Sequence, residues 1–218
     1  MNSVRDIPVA HTPPGGYGDH RVAPHDRKFP EPVLAACGEP LADGAPDLRG
    51  TWKAFEVRVN GELAPPDDDS LAGRLQRHTE RIEQAGNRAV ITGGGVIHDF
   101  MACDGTEENG VHDVMAHDFT TPIIVAASYE DRALVLRPKG LPGIEVRRWL
   151  DGDHLVWEYA AGCTVRLNRV DWDDPQTGKD PNPTPPFGIR QDDIGKMTEQ
   201  AASAAKGSRW PTAASPSS

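Results

Sequence analysis

The chain has 218 residues with 33 acidic against 23 basic side chains, a formal net charge of −10. That length suits one sizeable domain with extensions, and that charge repels nucleic acid and anionic membrane surfaces. No apolar run approaches the roughly 20 residues needed to span a bilayer, and the first residues lack an apolar secretory core, so a soluble, cytoplasmic protein is expected. The three cysteines, Cys37, Cys103 and Cys163, form no C-x-x-C pair. This argues against a disulfide framework and a structural zinc site, and no metal or cofactor is expected.

The 20 prolines are distributed unevenly, with 8 before residue 48, 5 within 48–171 and 7 after it. Residues 1–47, with Pro13-Pro-Gly-Gly-Tyr-Gly and Phe29-Pro-Glu-Pro, carry neither helical nor strand period and read as an extended arm. Residues 172–218 open on Pro-rich chain, offer a helix at 192–206 and end in a Pro/Ser/Ala stretch with the composition of a disordered tail.

Between the arms, β-rich runs of five to eleven residues recur between turn signals. The first is 50–60, where Trp52, Phe55, Val57 and Val59 nearly alternate with charged residues before an Asn60-Gly61 turn. Residues 67–79 hold the one helix expected here, with Asp69 and Ser70 as capping candidates and Leu71 and Leu75 four apart. Strands follow at 80–84, 88–92, 96–102, 111–117, 123–129, 133–137, 144–150, 154–160 and 163–170, separated by signals such as Gly86-Asn87, Gly93-Gly-Gly and Asp151-Gly-Asp. Ten sequential, turn-linked strands with one helix after the first predict a mainly β fold, an up-and-down antiparallel barrel whose closure removes its edges.

Gly50-Thr-Trp-Lys opening the first strand, Arg81-Ile-Glu-Gln-Ala-Gly-Asn, Leu150-Asp-Gly-Asp-His-Leu-Val and the closing Cys163-Thr-Val-Arg-Leu-Asn-Arg resemble the fatty-acid-binding-protein and lipocalin-like branch of the calycins. The resemblance covers about 124 of the 218 residues and implies a cup holding a small hydrophobic or amphipathic ligand. That family has a helical pair where one helix is read here. Its last-strand Arg-x-Tyr, which holds a fatty-acid carboxylate, stands here as Arg166-Leu-Asn168.

Alternation divides each strand into two faces without saying which points inward. Trp157 and Tyr159 share an aromatic face, and His98 and Phe100 share another. Asp113 and Met115 share one face of the strand at 111–117, and the last strand offers Arg166 and Asn168 against Cys163, Val165, Leu167 and Arg169. These eight, Trp157, Tyr159, His98, Phe100, Met115, Asp113, Arg166 and Asn168, are the candidate ligand contacts. Trp52 reads as a plug at the closed end, and whichever of Arg147 and Arg148 faces inward becomes an anion anchor. The pairs His98-Asp99, His112-Asp113 and His117-Asp118 fit structural histidines, ligand contacts, or metal or acid–base chemistry; as sequential strand neighbours they cannot be dyads by themselves.

Two functions follow as expectations. The first is a binding protein for a small hydrophobic or amphipathic molecule. The alternative is an enzyme of the cyclase, isomerase, dehydratase or decarboxylase type, using His98, Asp113, Tyr159 or Glu158 in the same cavity. A third role, partner docking by the Pro-rich arms, would leave the barrel as a scaffold.

Overall fold

The computed structural model describes residues 3–65, 71–160 and 162–170. The helix expected at 192–206, the whole extension 172–218 and the capping candidates Asp69 and Ser70 lie outside the described residues. The fold is mainly β, an up-and-down antiparallel barrel. Its elements are β1 (Gly50–Val59), β2 (Glu62–Leu63), α1 (Leu71–Leu75), β3 (Thr79–Ala85), β4 (Arg88–Gly93), β5 (Val96–Phe100), β6 (Val111–Val114), β7 (Pro122–Glu130), β8 (Ala133–Pro138), β9 (Val146–Asp151), β10 (His154–Tyr159) and β11 (Cys163–Val170).

The ten main strands are ordered β5-β4-β3-β1-β11-β10-β9-β8-β7-β6, so the first and last strands of the meander pair with each other. The two-residue β2 folds back on β1 across the Asn60-Gly61 turn, where both residues have positive φ, 52° and 84°. β1 is bulged between Ala54 and Glu56. The bulge places Phe55 outside, 48% exposed, and lets Trp52, Ala54 and Val57 all reach the core.

Three expected strands lose two or more residues at one end. The strand at 111–117 stops at Val114, because Met115 N–H bonds to Thr121 O and Phe119 N–H to Met115 O, which turns the chain. The strand at 96–102 ends at Phe100, and that at 144–150 begins at Val146. The described helix spans five residues and is tied to the chain before it by Gln76 Nε2, which donates to Ala64 O and Pro65 O.

Burial inside the barrel is graded. Leu155, Leu134 and Leu167 are fully enclosed, as is Trp52, which donates its indole N–H to Leu48 O. Toward α1, Ile91, Leu136, Val146 and Trp157 retain 7–8% exposure, and Tyr159, Val59 and Ile123 are only half-buried.

The N-terminal arm packs as a second layer on the outer face of β3, β4 and β5. Val4, Tyr17, Phe29 and Leu34 cluster there with Ala85, Val90 and Ile97. Beneath the arm lies Arg88, fully buried. Its Nε and Nη2 donate to Asp99 at 2.9 and 2.6 Å, and its remaining N–H groups reach the carbonyls of Val4, Ile7 and Pro8 at 2.7–2.9 Å. Asp99 in turn accepts Ala10 N–H at 2.8 Å, so every polar group of the pair is satisfied, in part by its partner and in part by the arm.

Candidate functional site

Pairing register fixes which side chains point inward. Trp52 faces Glu80 across β1 and β3, Ile82 faces Ile91, Ile91 faces His98, Trp157 faces both Val165 and Arg148, and Tyr159 faces Cys163 and Val146. Cross-strand partners share a face, so the interior set contains His98, Phe100, Glu80, Arg148, Trp157 and Tyr159.

The expected residues divide accordingly. Trp157, Tyr159, His98 and Phe100 share the interior, although Phe100 is fully buried in the apolar core. Asp113 lies on the inward register of β6, opposite Ile123, but its carboxylate is used locally: Oδ2 accepts Thr12 N–H and Oδ1 accepts Val114 N–H. Met115 lies beyond the end of β6 in a turn, so strand alternation does not orient it. Arg166 and Asn168 fall on the outward register of β11, alternating with the inward Val165 and Leu167. Arg166 pairs there with Asp151 at 2.8 Å, and Asn168 is exposed. Glu158 likewise faces outward, along a surface groove of about 750 Å³ shared with Arg147 and Trp149.

The three His-Asp pairs do not converge. His98 is inside with Nε2 3.3 Å from Val114 O, whereas Asp99 is outside on Arg88. His112 is exposed and bonded to Glu107 O, and His117 sits 3.1 Å from Asp118 in the loop after β6. Burial lowers the pKa of His98 from its ordinary value, more strongly than the Val114 carbonyl and Asp113 raise it, so the imidazole is neutral at pH 7. Burial also pushes the Cys103 thiol up to about 12 and Cys163 to about 11, which leaves both as poor nucleophiles.

The polar centre of the interior is a set the spacing did not single out. Glu80, fully enclosed, accepts Arg148 Nε and Nη2 at 2.9 Å each and lies 3.1 Å from His78 Nε2. Burial alone would raise the Glu80 pKa, but Arg148 and the hydrogen bond with His78 outweigh it and hold the carboxyl well below its usual range. The Arg148 guanidinium lies 5.0 Å from the Trp157 ring centroid, and the His78 ring centroid is also 5.0 Å from that ring. Two donors of this cluster, Arg148 Nη1 and Trp157 Nε1, are buried and meet no acceptor among the described residues. The contrast with Arg88 is direct. One arginine has every N–H satisfied and fixes the arm; the other keeps a donor unmet inside the barrel.

A sequence signal for this cluster did exist. His78, Glu80, Ile82 and Gln84 occupy alternate positions, and adjacent Arg147 and Arg148 cannot both face outward on one strand. What the spacing lacked was the register that places Glu80 and Arg148 within reach.

In comparison with known proteins, the chain is similar to the solved structure of human cRBP IV, with 18% identity and a TM-score of 0.41. The match covers 57% of this chain and 98% of that one. No protein-family model and no curated protein matches the chain. No helix among the described residues is long and apolar enough to cross a membrane.

Proposed function

We propose that the barrel interior binds a small hydrophobic or amphipathic molecule that lies against Trp157 and Tyr159 and offers an oxygen acceptor to Arg148 Nη1 and Trp157 Nε1. The observation that carries this reading is the pair of buried donors without acceptors. An unmet buried donor costs about 1–3 kcal/mol, a penalty that a ligand oxygen relieves. Because Glu80 already neutralises Arg148, a carbonyl or hydroxyl suits the site better than a free carboxylate. Arg166 and Asn168 have no part in this site; His98 contributes a neutral imidazole to its wall. The protein is then a soluble cytoplasmic carrier or buffer for such a molecule.

The test uses 8-anilinonaphthalene-1-sulfonate as the fluorescent probe and displaces it with retinoids, long-chain alcohols, fatty acids and haem. Binding of the effective competitor weakens about 10-fold in Trp157→Phe and in the double variant Glu80→Leu with Arg148→Met, which strands no buried charge, the loss of one ligand hydrogen bond each. A dye that binds nowhere in the barrel, or a competitor indifferent to both variants, refutes the site.

A second reading has its own observation. Glu80 orients the His78 imidazole in the interior, an arrangement suited to proton transfer. It predicts turnover of the copurifying molecule that is lost in His78→Gln while dye binding persists. Equal turnover in the variant removes the enzyme reading.

A further inference from the structure

The barrel is laddered between all neighbours in the meander except at one place, since β5 and β6 stand at the two ends of the strand order and exchange no ladder. Elsewhere, passage through the wall would break three or more paired residues at once. At this seam the inner face holds the 3.3 Å contact from His98 Nε2 to Val114 O. The arm bridges the seam: Ala10 N–H donates to Asp99 on the outer face of β5, and Thr12 N–H donates to Asp113, which stands on the inward register at the edge of β6. The Thr12 hydroxyl accepts Ile97 N–H at 3.0 Å and lies 3.5 Å from Ile97 O. A cleft of about 180 Å³ lies along the strap, lined by Val9, Ala10, Met101 and Val111 among others.

We infer that residues 10–12 are a releasable strap, and that ligand reaches the interior through the β5–β6 seam when the strap lifts. The inference rests on the reading of the interior as a ligand site. A strap joined to both strand edges by side-chain and arm hydrogen bonds opens without disturbing any ladder of the barrel. Its anchor at Arg88 lies upstream, on the carbonyls of Val4, Ile7 and Pro8, so the strap lifts while the arm stays docked.

The test is stopped-flow exchange of 8-anilinonaphthalene-1-sulfonate on the full chain. Thr12→Val removes both hydroxyl bonds with little change in shape, and Ala10→Pro removes the N–H taken by Asp99. Both variants accelerate association and dissociation together, by about 5–10-fold as expected for one hydrogen bond, with the equilibrium constant and melting temperature nearly unchanged. Gln76→Ala, which frees α1 from Ala64 and Pro65, leaves the rates at the wild-type value. Faster exchange in Gln76→Ala with none in the strap variants places the route under α1 and overturns the inference. Dye that fails to bind wild-type protein overturns the ligand site itself, and the seam with it.

Discussion

Glu80→Ala is expected to lower stability by about 3–5 kcal/mol, because it strands the Arg148 charge inside the barrel. The loss appears as a lower urea midpoint with an unchanged slope. In the double variant Glu80→Leu with Arg148→Met, most of that stability returns, since two apolar groups replace a desolvated pair. Dye displacement by an oxygen-bearing ligand does not return with it. This separates what the pair contributes to folding from what Arg148 contributes to binding. The same pair sets an acid limit. The Glu80 pKa is depressed in the folded state, so its contribution is fully present above the unfolded value of 4.5 and is lost as pH falls below it. In Glu80→Gln that part of the acid-unfolding profile flattens. A profile identical to wild type would mean that the pair carries no such linkage.

Arg88→Met is the second large expectation. It removes the donors held by three arm carbonyls and leaves Asp99 charged, buried and without its cation, a cost again of about 3–5 kcal/mol. The arm rather than the barrel should respond first. Limited proteolysis cuts within residues 1–30 well before the strands are attacked, and the Ala10 and Thr12 amides exchange hydrogen faster than those of β10 and β11. An arm that stays protected in this variant would show that the apolar contacts of Tyr17, Phe29 and Leu34 suffice to hold it.

Much of the barrel was legible in the sequence because strand length, turn chemistry and order are local properties. Asn60-Gly61 and Asp151-Gly152-Asp153 announce their turns, and the Trp157–Tyr159 face announces its burial. Register is not local. Choosing between Arg166 and Val165 as the inward residue of β11 required the pairing of Val165 with Val57 and Trp157. Glu80 and Arg148 are 68 residues apart and meet only through barrel closure. The bulge at Phe55 also broke the period that alternation assumes. The arm was the least legible part, since its cohesion comes from carbonyls and amides that any sequence possesses. Only the fully buried Arg88 and Asp99, each on a strand, reveal that something must lie over them.

The arm contacts join residues 4–12 to positions 80 to 101 residues later in the chain. A ribosome makes this segment before its anchors on β4, β5 and β6, which follow only 80 to 101 residues later. A stretch synthesised ahead of the barrel is therefore among the last able to dock, and the nascent barrel passes through an interval with the outer face of β3 to β5 bare.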